Sequence, residues 1–515
     1  MSFEITCPYC FKKMKDTEVM FRSEKVNHNE SNVLPNEYDD IDDFIARYRG
    51  SDKENILQEY RDWEFFAEAT DPEYEAFWAN YGGTTENNPA DNVLRVKAYH
   101  RKVIDPGNPV HQRYLKQQTW GDYFIRDSQG MVAQIELNTG EKCNRRVCRH
   151  CHNPFPDNYG KHPVTFATVI GITGAGKTVY LSQLLCKMKT YAVKAGLSAI
   201  VNNTGVLDFL ERNSIAANQP LPGSTPATRF QQPLFYEMVR DAREHGRVIE
   251  TFVLYDVAGE VFTDSHLVNK FAPFVEHSDG VIVLIDPMQF EAISGVMSYG
   301  SKLSEPATVL DTIHGLICNE ADGRKCDIPF AVCISKADIQ AVQNVFSDKL
   351  KRMLLDDVRG IKDSSGFNLP LFNASDYNPI LNELYSFIQN HELVLAQQMQ
   401  TNYSSYAYFA FTALGCDVGE SEGPNGDKYQ YPVGPVLPKR VEEPLLWLFY
   451  KLGYIGVDTP IEDPTKPKIC CPVCGGSDTW ELPEGERFVT TGRWPFKSRV
   501  YVNRECSCGY RWEQE

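Results

Sequence analysis

A three-layer α/β sandwich is the fold predicted for the middle of this 515-residue sequence, with cysteine-bearing modules outside it. Three observations predict it. Residues 164–170, VTFATVI, read as a buried strand; a glycine-rich turn follows at 171–178, and VYLSQLLCKMKTYAV then reads as a helix. From there to about residue 415, strand and helix signals alternate as in an α/β domain. Beyond that stretch, close cysteine pairs recur at 7–10, 148–151, 471–474 and 506–508.

Composition bounds the rest. Lys plus Arg is 52 and Asp plus Glu is 69, a net charge of −17, which argues against a dominant nucleic-acid footprint. Hydrophobic residues make up 42%, enough for a large core. No run of 18 apolar residues occurs, so no membrane span is expected. The opening MSFEITCPYC lacks the apolar stretch of a secretory signal, which points to a cytoplasmic protein. The 15 cysteines are odd in number, and a disulfide scaffold would be short and secreted, so metal ligation is the better use for the clustered ones. Cys333, inside the apolar run PFAVCIS, reads as a small core residue.

Taken in order, the elements suggest five segments. Residues 1–15 and 141–160 each carry a knuckle, and 16–140 between them read as a mostly helical insertion, with helical content in ENILQEYRDWEFFAEA and a strand at VAQIEL. Residues 161–455 form the α/β domain. Within it, 419–435 is rich in Gly, Pro and charge and reads as a loop, and RVEEPLLWLFYK reads as a short apolar helix. Residues 458–467, with three prolines, read as a linker to a last unit at 468–515.

The turn Gly171-Ile172-Thr173-Gly174-Ala175-Gly176-Lys177-Thr178 satisfies G-x-x-x-x-G-K-[ST] completely, between a strand and a helix. Its glycines let successive N–H groups curl around a β-phosphate, the helix N-terminus adds its field, Lys177 reaches the β- and γ-phosphates, and Thr178 offers a hydroxyl to Mg²⁺. About 80 residues on, TFVLYDVAGE ends a strand at Asp256 with Gly259 three residues later. Asp256 suits Mg²⁺, directly or through water. The Gly259 N–H suits a γ-phosphate, because glycine allows close approach and a peptide flip.

These motifs resemble the P-loop GTPases of the translation-factor-related, Ras-like (TRAFAC) class, over residues of about 164–450. The likeness is greatest to large bacterial members with accessory zinc-ribbon modules, some of them effectors in conflict or defence systems. The resemblance implies a GTP-binding and GTP-hydrolysing switch. In the family motif N-K-x-D the Asp takes the guanine donors and the Lys stem packs on the base, which gives those roles to Asp338 and Lys336; Ser335 stands where Asn is usual. A late S-A-L element supports the ring. Thr412-Ala413-Leu414-Gly415 fits better than Ala374-Ser375, which puts Ala413 in the nucleotide site. A strand at 230–239 should follow a first-switch Thr that reaches Mg²⁺ and the γ-phosphate; Thr228 is preferred to Thr225, which precedes a proline. Where many members carry a water-orienting Gln, this chain has Glu260, with His266 and Arg229 as further helpers. The implied catalytic set is Lys177, Thr228, Gly259 and Glu260, with Mg²⁺ on Thr178, Thr228 and Asp256.

Cys7-Pro8-Tyr9-Cys10 and Cys148-Arg149-His150-Cys151 each have the spacing to turn two thiolates onto one metal. Pairing them makes a split zinc ribbon, with Cys143 or His152 as replacement ligands. Cys471 and Cys474, followed by Gly475-Gly476, and Cys506 and Cys508 fit a second ribbon. Four thiolates leave no open position, so two structural zinc ions are expected. Arg499, Arg504 and Arg511 with Trp494, Tyr501 and Trp512 give the last unit a basic-aromatic face that favours a protein partner over nucleic acid. Two other readings stay open: a nucleotide-dependent scaffold with negligible turnover, which Glu260 suggests, and an ATPase, which Ser335 suggests.

Overall fold

The computed structural model describes the chain except residues 1–2, 28–32, 36, 39, 87–93, 173, 203, 224–231, 243–245, 264, 291–292, 294–305, 318–324, 423–427, 466–472, 474–478, 482–486, 492–496, 507–510 and 515. The chain divides into two compact units, Met1–Thr459 and Pro460–Glu515.

The first unit is built on a seven-stranded sheet. Its strands are β1 (Val164–Gly171), β2 (Ser198–Val201), β3 (Leu234–Ala242), β4 (Gly246–Ala258), β5 (Gly280–Ile285), β6 (Phe330–Ile334) and β7 (Tyr406–Ala410), in the order β2-β3-β4-β1-β5-β6-β7. The β2/β3 and β3/β4 pairs are antiparallel, and all others are parallel. Strands buried on both faces need apolar residues at every position rather than alternate ones. GVIVLI in β5 and FAVCI in β6 meet that demand, and both are buried throughout. Helices Lys177–Cys186, Ser265–Glu276, Pro306–Ile317 and Ala374–His391 supply the crossovers. This is an α/β fold with a mixed sheet, and it resembles a P-loop nucleoside triphosphatase core.

Two expectations need correction. Residues 16–140 are not mostly helical. Helices Ile41–Arg47, Lys53–Phe65, Pro72–Asn80 and Pro109–Gln112 alternate with short strands. Met20–Arg22 lies between Arg145–Val147 and Val103–Ile104, and Val132–Glu136 lies between Phe124–Arg126 and Lys142–Cys143. The two- and three-residue strands around Met20–Arg22 leave no periodic signal, and partners about 80 to 125 residues away hold them in place. Nor are 419–422 and 428–433 loop. Asp417–Glu422 and Lys428–Val433 form an antiparallel hairpin in which Gly419 faces Tyr431. Alternating Tyr429 and Tyr431 suit a strand, and cross-strand pairing outweighs the glycine and charge content.

Helix Glu443–Lys451 packs its apolar face on the sheet and carries a buried ionic cluster. Arg440 bonds Glu443 (Nη1–Oε1, 2.6 Å) and Asp376 (Nη2–Oδ2, 3.2 Å), while Oε2 of Glu443 has no hydrogen-bond partner. Burial pushes the Glu443 carboxyl up to about 7, and Arg440 only partly offsets it. A carboxyl whose folded pKa is raised contributes its stability below the unfolded value, and that contribution is lost as pH rises through the folded one. The protein's stability relative to Glu443→Gln should therefore fall by about 3 kcal/mol from pH 4.5 to pH 8. Urea unfolding of both proteins at those pH values measures it; a constant difference would disprove the burial effect.

The second unit is a four-stranded antiparallel sheet in which Lys497–Cys506 pairs with Thr479–Glu481, Arg487–Thr491 and Arg511–Gln514. Of its expected ligands, Cys471, Cys474 and Cys508 lie outside the described residues, as does the side chain of Cys506.

Candidate functional site

Parallel pairing lines up the carboxyl ends of five strands. Gly171 stands beside Ala258 and Leu284, Ile285 beside Ile334, and Ile334 beside Ala410. The segments 171–178, 258–263, 285–288, 334–340 and 410–415 therefore leave the sheet along one edge, where open α/β sheets bind ligands.

The glycine-rich turn closes on itself and on β5. The Ala175 N–H donates to Ile172 O (2.9 Å), and the Ile172 N–H to Leu284 O (3.0 Å). Gly174 and Gly176 have φ of +83° and +71°, and Gly176 caps helix Lys177–Cys186 from that left-handed conformation. Ala175 is buried. The Lys177 ammonium reaches across to Asp256 Oδ1, and both side chains are almost fully enclosed. The other carboxylate oxygen, Asp256 Oδ2, is buried without a hydrogen-bond partner. An orphaned buried carboxylate oxygen at the turn, which also carries the buried hydroxyl residue Thr178, is oxygen chemistry that fits Mg²⁺. Gly259 packs on the turn so closely that a Cβ there would lie 2.3 Å from Gly171 O, so only glycine fits. Glu260 follows in the short 3₁₀ helix Gly259–Thr263, and His266 lies in helix Ser265–Glu276. Thr225, Thr228 and Arg229 lie outside the described residues.

At the other end of the edge, Lys336 takes a left-handed φ of +51° directly after β6. Ser335 is buried, and its hydroxyl donates to Ile285 O (3.0 Å), closing the neighbouring strand end. Asp338 keeps an exposed face, but burial of its carboxyl raises the pKa. The Thr412 hydroxyl and the N–H groups of Asp338 and Gly415 donate to that carboxylate and pull the pKa back. The segment 412–415, with Ala413 half-buried, thus meets Asp338, whereas Ala374 and Ser375 start a helix and donate to Asp458.

One residue of this edge escaped sequence reasoning. Asp286 accepts from Lys336 Nζ (2.8 Å), caps the turn at Met288 N (3.0 Å), and would lie 2.9 Å from a Cβ on Gly174. It bonds the lysine after β6 and lies close against the glycine-rich turn. Its sequence signal, an Asp before Pro287, marks only a turn.

A second site lies on the other side of β4. Cys7, Cys10, Cys148 and Cys151 bring their four sulfurs within 4.8 Å of one another, with Sγ–Sγ distances of 3.7 Å for both Cys7–Cys151 and Cys10–Cys148. A tetrahedron of Zn–S bonds has edges of about 3.8 Å, so the cluster fits a closed, structural zinc. The knuckles are built alike. Phe11 N donates to Cys7 O and His152 N to Cys148 O, both at 2.9 Å, and Phe11 and His152 have φ of +56° and +49°. Tyr9 N and His150 N point at the first sulfur of their knuckles, at 3.4 and 3.3 Å. Burial pushes the Cys7 thiol up, while a hydrogen bond from Cys148 holds Cys10 far below its ordinary range. A dication answers that conflict by taking all four as thiolates. The alternatives Cys143 and His152 are not among the four: His152 Nδ1 bonds Asp71 Oδ1 (2.7 Å), and Asp71 also binds the buried Arg22 (2.7 Å).

The cysteine module is packed against the sheet. Phe11 sits among Phe166, Tyr255 and Phe274, at ring distances of 5.1–5.7 Å, and Tyr255 Oη donates to Pro8 O (2.8 Å). Neighbouring residues of a strand face opposite ways, so Tyr255 points into the cysteine module and Asp256 toward Lys177 of the glycine-rich turn.

A family model described as "Double-GTPase 2" (DO-GTPase2) matches residues 165–386, less than half of the chain. No curated protein matches. The signal recognition particle receptor SRb-GTP/SRX complex from Chaetomium thermophilum is similar at 16% identity and a TM-score of 0.23, covering 51% of this chain and 93% of that one. Era from Aquifex aeolicus bound to GDP.AlF4- is similar at 11% identity and a TM-score of 0.23, covering 59% of this chain and 61% of that one. Among the described residues, no helix is long and apolar enough to cross a membrane.

Proposed function

We propose that the chain is a GTP-binding and GTP-hydrolysing switch of the Ras-like class, of the large bacterial kind with zinc-ribbon modules. The observation that carries the reading is the shared edge: Lys177, Asp256 and Gly259 gather at one end, and Lys336, Asp338 and Thr412–Gly415 at the other. In this reading the N–H groups of 174–178 and Lys177 hold the β- and γ-phosphates. Thr178, Asp256 and Thr228 hold Mg²⁺, which when bound neutralises phosphate charge. Gly259 meets the γ-phosphate, Glu260 orients water, and Asp338 reads the base with Lys336 and Ala413 against it. The two knuckles form one split ribbon, 468–515 a second, and a protein partner binds through these modules or the segment between the knuckles.

Competition binding with GTP, ATP and xanthosine triphosphate tests the base reading. Adenine offers an acceptor where guanine N1 donates, and it lacks the N2 amine, which strands the Asp338 carboxylate. A lost charge-assisted pair costs roughly 2–4 kcal/mol, so GTP should bind about 30-fold or more tightly than ATP. Asp338→Asn should erase most of that preference and shift it toward xanthosine triphosphate. Equal affinity for GTP and ATP in the unchanged protein would support the ATPase reading instead.

Glu260 favours a second reading. A carboxylate near a γ-phosphate repels it, so the chain would serve as a nucleotide-dependent scaffold with negligible turnover. Single-turnover hydrolysis separates the two: slow or absent product formation that Glu260→Gln accelerates would favour the scaffold.

A further inference from the structure

The segment that meets Asp338 is itself held by a second segment. Thr412 and Lys439 exchange backbone hydrogen bonds (Thr412 N to Lys439 O, 3.0 Å; Lys439 N to Thr412 O, 2.8 Å), and the Leu437 N–H donates to Leu414 O (2.7 Å). Gly415 fits the contact so closely that a Cβ there would collide with Leu437 O, and its φ of +64° also suits glycine. Residues 412–415 and 437–439 therefore run antiparallel and close the open end of the hairpin formed by Asp417–Glu422 and Lys428–Val433. Where 437–439 is placed, 412–415 follows.

The next residue is strained and enclosed. Arg440 takes a left-handed φ of +55°, which costs a residue with a side chain on the order of 1 kcal/mol or more. Such a conformation persists only where the surroundings enforce it. Arg440 is 2% exposed, and its guanidinium donates to Glu443 Oε1 (2.6 Å), Asp376 Oδ2 (3.2 Å) and Met353 O (3.2 Å). The acceptors belong to three separate helices, Glu443–Lys451, Ala374–His391 and Asp348–Leu354. Glycine would adopt this backbone at less cost, but only the planar fork of arginine spans three acceptors. The neighbouring pair Lys439–Asp357 is largely exposed and adds little, so the buried Arg440 is the anchor of the segment.

We propose that Arg440 is a positioning residue for base recognition: by fixing 437–439 it holds Thr412 and Gly415 where they donate to the Asp338 carboxylate, and so sets the preference among purine nucleotides. The inference rests on the reading of Asp338 as the group that meets the base. Without those two donors, burial would leave Asp338 a less oriented and less readily ionised acceptor.

Arg440→Gly combined with Glu443→Gln tests it in the full-length protein. Glycine accepts the left-handed backbone, the amide leaves no buried carboxylate stranded, and Asp376 is partly exposed, so the fold is kept while the anchor is lost. In calorimetric titration the preference for GTP over ATP should fall at least about fivefold, the worth of one hydrogen bond, while affinity for ATP changes less than about twofold. Hydrogen exchange read by mass spectrometry follows the same link without nucleotide: residues 410–416 should exchange at least about tenfold faster, and residues 177–186 at an unchanged rate. Arg440→Lys keeps the charge but not the fork; it should move both readouts the same way by less, and it carries the test if the double variant does not fold. The proposal stands only if the preference and the exchange at 410–416 both change while 177–186 does not; any other combination overturns it. Equal affinity for GTP and ATP in the unchanged protein is a separate result: it overturns the base reading, and exchange at 410–416 still shows whether Arg440 holds the segment.

Discussion

Lys177→Ala should abolish tight triphosphate binding, with calorimetric affinity for GTP and ATP falling at least about 100-fold. Charge-assisted hydrogen bonds to phosphate are worth about twice neutral ones, and a P-loop lysine contacts two phosphates at once. The substitution also acts on the free protein. Lys177 is the charge partner of Asp256, whose side chain is 1% exposed. Removing one member of a buried pair strands the other and costs about 3–5 kcal/mol. Binding loss could then be mistaken for unfolding. Lys177→Ala combined with Asp256→Asn separates them: the double variant should recover most of the stability but none of the affinity. A single variant that keeps its affinity would remove Lys177 from the site.

Removing metal from the Cys7, Cys10, Cys148 and Cys151 cluster should unfold more than the cysteine module. Structural zinc contributes on the order of 10 kcal/mol or more to folding in small modules. Here Phe11, just after the first knuckle, packs on Phe166, and Pro8, inside it, accepts from Tyr255, the residue before Asp256. A strong chelator, or Cys148→Ser, should therefore lower the unfolding temperature by tens of degrees and weaken triphosphate binding as well. Elemental analysis should show a loss of one zinc per chain, from about two if the C-terminal ribbon is also filled. Retention of full nucleotide affinity after loss of that zinc would show that the contact at Tyr255 carries no coupling.

How much of this was legible depended on range. The strand and helix on either side of the glycine-rich turn could be read outright, because the turn's residues are contiguous and elements of ordinary periodicity bracket them. The strand that carries Asp256 could be read for the same reason. Asp286 could not: its role lies in Lys336, 50 residues away, and in the turn at Gly174. The hairpin at 417–433 was hidden because its composition is that of a loop and only its cross-strand partner makes it a strand. Most strands within 16–140 were hidden because they are only two or three residues long, while the five-residue Val132–Glu136 was legible in VAQIEL.

The sequence by itself determined the local pieces: a glycine-rich turn between a strand and a helix, two cysteines on each knuckle, and strands apolar enough to be buried on both faces. The tertiary structure alone decided which of these meet. It set Cys7 beside Cys151 across 144 residues, gave Lys177 the Asp256 carboxylate across 79, and turned His152 toward Asp71 rather than the sulfurs. The physical reason is that backbone preferences reach only as far as a turn of helix or a step of strand. Partners at longer range are fixed by the register of the sheet and by what can be buried together, and neither is written in any single stretch of residues.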